Sequence, residues 1–316
     1  MIKSGAVAAA PFLIRIKKMD TLKASEFITA NARPLEKALY DFYFVNGTRG
    51  KVIHELLKYM NDDCGFGNAI EPDNWNKASN PIATNDAIIT FFRIGALDEK
   101  SRITDRIVHY LGSHDSFDEE KKRWLFAIDS NKDYPHAVWW EKRGDGIRAF
   151  NPSVSLAAFM ICFSDDRKYS GIIHEAFGAL EAQEDMIADD LKCYLLAYEL
   201  MERHNIAVIG NRGFSAKALL CEKLEQVICS DTSRYATEYV PKPSDFFCGM
   251  FGQFVTDKIR PLIKAEREML GRLQMADGGF DISWQWYNDY EEFGQAREWW
   301  RPRLTLDKLL FYRYNA

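Results

Sequence analysis

Apolar residues recur along this chain at intervals of three and four, the spacing that lines one face of an α-helix. The strict alternation of a half-buried strand is nearly absent. In Leu35 to Phe44 the positions Leu35, Ala38, Leu39, Phe42 and Tyr43 form one such stripe. The same spacing predicts helices over Val52 to Met60, Asp86 to Ile94, Ile103 to Leu111, Lys121 to Ile128, Val154 to Phe163 and Ile172 to Glu181. It continues over Ile187 to Glu202, Ala216 to Cys229, Phe246 to Leu273 and Leu304 to Tyr312. About a dozen helices with no long charged or Gly/Ser-rich linker between them predict one all-α domain over residues 19–316.

The connections repeat chemically. Asn80-Pro81-Ile82-Ala83-Thr84 and Asn151-Pro152-Ser153-Val154-Ser155 share N-P-x-x-[S/T], followed three residues later by alanine. Asn caps a helix well and Pro suits its first position, so each reads as a helix start, with Pro302-Arg303-Leu304-Thr305 as a looser third copy. Asp63-Cys64-Gly65-Phe66 aligns with Asp277-Gly278-Gly279-Phe280, each after an amphipathic helix. Both ends of the chain thus carry one unit: a helix, a D-x-G-F turn, an irregular loop and a proline-marked helix. Like units at the two ends predict a helical repeat closed on itself.

Composition removes several function classes. Across 316 residues, 47% are hydrophobic and 28% charged, the balance of a water-soluble globular chain. A net charge of -5 gives no basic field for nucleic acid, and Ile14 to Lys18 is too short a basic stretch to supply one. The six cysteines form no C-x-x-C pair and all six histidines lie at or before His204, so no metal site is expected. Reduced, buried thiols suit a cytoplasmic protein. No apolar run is long enough to span a membrane. Met1 to Met19 resembles a secretory leader in its lysine and short apolar run. Pro11 breaks that run, however, and Arg15, Lys17 and Lys18 follow it, so residues 1–18 read as a poorly ordered extension.

At Leu273 to Trp286, LQMADGGFDISWQW, the chain resembles the glutamine, glycine and tryptophan loops of terpenoid cyclases and protein prenyltransferase β subunits. Asn61 to Gly67 carries a second such likeness, and residues 165–245 carry little. The combination of CGFGNAIEPD, NPIATNDA, FNPSVSLAA and QMADGGFDISWQW also resembles a bacterial family of toroid-like proteins with no assigned reaction. The resemblance implies an α/α toroid, in which inner and outer helices alternate around a central cavity. The chemical motifs of those enzymes are absent. In place of the acidic D-x-D-D stands Ile187-Ala188-Asp189-Asp190, read as a solvated helix face. Asp165-Asp166-Arg167 is a fragment of a D-D-x-x-D magnesium site, and Asp245-Phe246-Phe247-Cys248 lacks the histidine that a zinc site would need.

The candidate site lies in the loops after the two turns. Glu71 and Asp73, beside Trp75, could form an acid and base pair, or could accept backbone N–H groups of nearby helix starts. Asp62, Asp63, Asp277 and Asp281 read as turn and cap residues. Trp284 and Trp286 alternate, so in extended chain both face one side. With Trp139, Trp140, Trp299 and Trp300 they could line a pocket or fill space between helices. His136, in an aromatic loop, reads as a possible base or an ordinary loop histidine. The ligand expectation is a small, largely apolar molecule such as an isoprenoid. The alternatives are a carbohydrate-binding or glycoside-cleaving α/α barrel and a non-catalytic scaffold. No nucleotide or dinucleotide fingerprint occurs, so no cofactor is expected.

Overall fold

Helical periodicity dominates the outcome as it does the sequence. A computed structural model describes residues 18–97, 100–164, 166–208 and 215–316, so the expectation for the N-terminal extension falls outside the described residues apart from Lys18. The α-helices of this part are α1 (Thr21–Asn31), α2 (Pro34–Phe44), α3 (Arg49–Leu56), α4 (Pro81–Arg93), α5 (Arg102–Gly112) and α6 (Ser153–Phe163). There follow α7 (Ser170–Ala179), α8 (Ala188–Arg203), α9 (Ala216–Val227), α10 (Ile259–Leu273) and α11 (Phe293–Tyr314). Two two-residue strands, β1 (Phe117–Asp118) and β2 (Arg123–Trp124), pair antiparallel. The protein is all-α.

Four expected boundaries are corrected. Lys121 to Ile128 is β2 and irregular chain: Asp118 Oδ1 accepts the N–H groups of Glu120 and Lys121, Lys122 is left-handed, and Trp124 turns into the core. The stretch from Phe246 becomes helical only at Ile259, because Gly249 (φ +88°) and Phe251 (φ +59°) take conformations that no helix contains. Pro302 starts no helix. It lies inside the 22-residue α11, whose upstream half is polar and aromatic and shows little apolar spacing. At Asn151-Pro152 the helix does begin nearby, but Asn151 does not cap it. Its side chain instead donates to Asp190 and accepts from the Cys193 thiol. Helix α1 went unpredicted because only Ala24, Phe27 and Ile28 of its eleven residues are buried.

The described ends of the chain meet. α1 packs on α11, and the Gln274 side chain pairs with the backbone of Asp20 in both directions, at 2.8 Å each. α2 touches α1, α3 and α11, while α6 touches α4, α5, α7 and α8. A buried polar chain ties three of these helices together: Ser155 Oγ donates to Asn85 Oδ1 (2.6 Å), Asn85 reaches Cys193 Sγ (3.8 Å), and Cys193 reaches Asn151 (3.4 Å). Ion pairs link α4 to α11 twice in the same order along both helices, Asp86 with Arg303 and Arg93 with Asp307.

The two D-x-G-F turns are one structure used twice. Gly65 N–H donates to Asp63 Oδ1 (2.9 Å) as Gly279 N–H does to Asp277 Oδ1 (3.0 Å). The glycine carbonyl accepts from Asn61 N in one and Met275 N in the other, both at 2.9 Å. Phe66 N–H donates to Thr84 Oγ1 and Phe280 N–H to Thr305 Oγ1, so the Thr of each P-x-x-T segment holds the turn before it. Both phenylalanines enter the main core. Cys64 (φ +72°) and Gly278 (φ +94°) hold the same left-handed position.

Candidate functional site

The loops that leave these two equivalent turns run into each other. Asp73, from the first, is 2% exposed and accepts both alternating indoles of the second: Trp286 Nε1 on Oδ1 at 2.5 Å and Trp284 Nε1 on Oδ2 at 3.0 Å. The period-two spacing of the tryptophans thus places both N–H groups on one carboxylate. A third indole, Trp300, points its N–H toward Asp73 without completing a hydrogen bond. Burial pushes the Asp73 carboxyl up, and the indoles of Trp286, Trp300 and Trp284, with Arg303, oppose that rise. With each oxygen occupied, Asp73 is built to hold two tryptophans.

A third segment joins them. Ala137 N–H donates to the Asp73 carbonyl, Trp75 N–H to Pro135 O, and Val138 N–H to Trp286 O. His136 is buried, with Nδ1 against Tyr134 O at 2.6 Å, its carbonyl accepting from Asn288, and its ring 5.6 Å from that of Tyr290. Trp286, Trp140, Ala137 and Ala296 form a small second core on which Trp75 and Trp139 pack. Trp75 stacks on Trp299 at 4.8 Å, with Arg33 over Trp299. Asp281 lies apart, ion-paired with Arg297 and accepting the Ile282 N–H. Of the expected aromatic residues, Trp75, Trp139, Trp286 and Trp299 pack against protein, and Trp284 faces a different neighbourhood.

That neighbourhood is a charged recess. Glu71 makes no side-chain hydrogen bond among the described residues; its nearest charged partner is Arg303, at 3.9 Å, which itself holds Asp86 at 2.7 Å. Burial pushes Glu71 well above the ordinary glutamate range, with Asp73, Asp86 and Asp189 adding to the rise and Arg303 opposing it. Burial works against the Arg303 charge, but Asp86 and Glu71 outweigh it and keep the guanidinium protonated. On α8, Asp189 pairs with Lys192 at 3.0 Å. Lys192, then Arg148 and Arg303, hold Asp189 below the usual carboxylate range. Side-chain exposure falls from 58% at Asp189 through 30% at Lys192 and 26% at Arg303 to 16% at Glu71 and 13% at Asp86. Asp86 and Glu71 are thus the most enclosed charges of this cluster. Tyr239, 69% exposed, stands at its edge with its ring 5.7 Å from Trp284.

The sequence reading named Glu71, Asp73 and Trp284 but missed Arg303, Asp86, Lys192 and Tyr239. Asp189 and Asp190, expected together as a solvated helix face, differ: Asp189 is 58% exposed, whereas Asp190 is buried on Arg148 (3.0 Å) and Asn151 (2.9 Å). Two other polar features stand elsewhere. Ser244, Glu266 and Lys308 form a closed buried triad, in which Ser244 N–H and Oγ both donate to Glu266 and Lys308 donates to both partners. A cavity of about 800 Å³ lined by Lys18, Arg260, Lys264, Arg267, Tyr312 and Tyr314 contains none of the expected site residues. Beside Glu71 the crevice along Ile70, Asn74, Asn80 and Ile82 is too narrow to admit even a water-sized molecule.

Among the described residues, no group of three or more His, Cys, Asp or Glu is placed to hold a metal, and no helix is long and apolar enough to cross a membrane. No family model, curated protein or solved structure matches the chain.

Proposed function

We propose that the chain is an α/α toroid like the terpenoid cyclases and prenyltransferase β subunits. Its recess takes a small, hydroxyl-rich molecule of the carbohydrate class, with Glu71 as proton donor. The meeting of α1 with α11, the duplicated turn and the paired ion links between α4 and α11 support the closed helical arrangement. The observation that carries the ligand reading is the character of the recess: an acid without a side-chain hydrogen bond among the described residues, pushed toward its neutral form by burial, with Arg303, Asp86 and Asp189 around it. A neutral carboxyl can donate, and charged neighbours can accept from or donate to hydroxyl groups.

An apolar, isoprenoid ligand is the second reading. It draws support from the indoles of Trp284 and Trp300 beside Asp73, two residues from Glu71, since a carboxyl pushed toward its protonated form can protonate an alkene. It ranks lower because an apolar body would strip water from four charged side chains and replace none of the lost hydrogen bonds, a cost of several kcal/mol. Native mass spectrometry of protein purified from its source tests the order. The expected result is a retained hydroxyl-rich mass that Glu71→Gln and Arg303→Met weaken. A retained isoprenoid would reverse the order. An empty protein that binds neither mono- and disaccharides nor prenyl alcohols by calorimetry would make the fold a scaffold.

A further inference from the structure

The cavity of about 800 Å³ between α10 and the end of α11 has the size of a small-molecule site and shares no lining residue with the recess. Its charge comes mostly from one helix. Arg260, Lys264 and Arg267 recur along α10 at intervals of four and three, so the three cations lie on one face, with Ile263 among them. Lys18 adds a fourth cation from the chain just before α1, and Glu268 is the single acidic side chain of the lining. Like charges at that helical spacing repel, and the fold offsets them little. Lys264 makes no hydrogen bond or ion pair among the described residues. Arg260 has only Asp257, at 3.3 Å, and both side chains stand largely in water, where such a pair contributes little.

The wall of this cavity is held in place. Arg267 Nη1 donates to the Tyr312 carbonyl at 2.6 Å and the guanidinium lies over the Tyr312 ring at 4.5 Å. One edge of the fork is thereby fixed, while its other N–H groups have no partner among the described residues. Tyr314, 53% exposed, rests its ring against Gly249, where a Cβ would come within 3.1 Å of it. Asn315 donates to the Phe247 and Phe311 carbonyls, at 2.8 and 2.9 Å, and pins the chain beside that ring. Four cationic side chains against one acid are more than a single carboxylate offsets, and a planar guanidinium with free N–H groups matches the oxygens of a phosphate. Residues 1–17 include Lys3, Arg15 and Lys17 and no acid, so that segment brings no negative charge to them. We infer that the cavity binds a phosphate ester carrying two or more negative charges. Its phosphates lie on Arg260, Lys264 and Arg267, and its ring or apolar body lies against Tyr314 and Ile263. The site is separate from the recess and does not depend on the carbohydrate reading.

Titration calorimetry of the full chain with ADP, inorganic pyrophosphate and adenosine tests the site, in roughly 20 mM and roughly 500 mM NaCl. The expected result is that ADP binds, pyrophosphate binds more weakly, adenosine does not bind, and the ADP affinity falls at the higher salt. Lys264→Glu changes a side chain that makes no contact the fold needs, and Arg267→Met removes the fixed fork. Each is expected to weaken ADP about tenfold or more, with unchanged helical circular dichroism. Arg102→Glu, an equal charge change at the exposed start of α5, should leave ADP binding as it is. No binding of ADP or pyrophosphate at millimolar concentration overturns the site, and so does ADP binding that Lys264→Glu and Arg267→Met leave intact. A loss on Arg102→Glu equal to that on Lys264→Glu would show that net charge, not the cavity, attracts the anion. Pyrophosphate binding as tightly as ADP would overturn the assignment of an ester.

Discussion

The first and last glycine loops begin alike and end differently. Through Asp63 to Phe66 and Asp277 to Phe280 they match bond for bond, down to the threonine hydroxyl that accepts the phenylalanine N–H. Beyond that point the first supplies Glu71 and Asp73 and the second supplies Trp284 and Trp286, and these unlike tails meet at Asp73. The duplicated part fixes where the loops start and in which direction they leave. The divergent part supplies the chemistry. A repeat that conserves its frame can therefore place an acid and its aromatic partners together from positions 211 and 213 residues apart.

The comparison breaks most severely at the turns. A Cβ on Gly278 would sit 2.3 Å from the Lys23 carbonyl oxygen in a backbone conformation that L residues avoid. Gly278→Ala is expected to cost roughly 2–4 kcal/mol of unfolding free energy, from the strained conformation and the clash together, read as a shift in urea midpoint. A loss under about 1 kcal/mol would mean that the late turn is less constrained than its geometry requires. Removing the meeting point comes next. Asp73→Ala leaves two indole N–H groups facing a cavity, one of them fully buried, and is expected to cost roughly 2–3 kcal/mol and to alter tryptophan emission. The same substitution should not disturb the Ser244–Glu266–Lys308 triad, so Lys308→Met should add its own loss independently in the double variant.

A subtler test uses pH. Because Glu71 is raised in the folded state, the native protein binds a proton that the unfolded chain releases above about pH 4.3. Its contribution to stability is therefore full in acid and is lost as pH rises through the folded value. Glu71→Gln removes that penalty, so its melting temperature relative to the parent should climb from pH 4 to pH 8. A flat difference would show that Glu71 is ordinarily ionised. The smallest effect should come at the position where the two turns differ in sequence. Cys64 takes the left-handed conformation that Gly278 takes freely, so Cys64→Gly is expected to stabilise by about 0.5–1 kcal/mol. A loss instead would show that the Arg106–Cys64 contact (3.4 Å) outweighs the backbone strain.

Much of the frame is legible in the sequence because it is local. Stripes of apolar residues mark α2, α5, α8 and α9, and the D-x-G-F and P-x-x-T signatures mark both turns and the residues that hold them. Where local pattern misleads, tertiary contacts decide. Residues 121–128 have helical spacing, yet Trp124 is drawn into the core and its N–H is taken by Ser153 Oγ. The upstream half of α11 lacks apolar spacing because its Trp299, Trp300 and Arg301 each find separate partners. The acid and aromatic members of the site are visible as unusual loop residues. Arg303, Asp86, Asp189 and Lys192 are not, since each lies on a helix where a charge reads as surface. Only their convergence from α4, α8 and α11 gives them meaning. The alternating tryptophans are the informative intermediate case: the spacing predicts a shared face, but their shared partner lies 211 residues away.

The central claim is that the two loops meet on one carboxylate, and the indole region of a ¹H–¹⁵N spectrum reads it directly. The eight tryptophans give eight side-chain signals. The account predicts that Asp73→Asn moves the Trp284 and Trp286 indole signals together, that acidification of the parent moves the same two over one shared titration, and that buried Trp124 stays in place. Trp284 and Trp286 signals that ignore Asp73→Asn, or that titrate independently of each other, would contradict it.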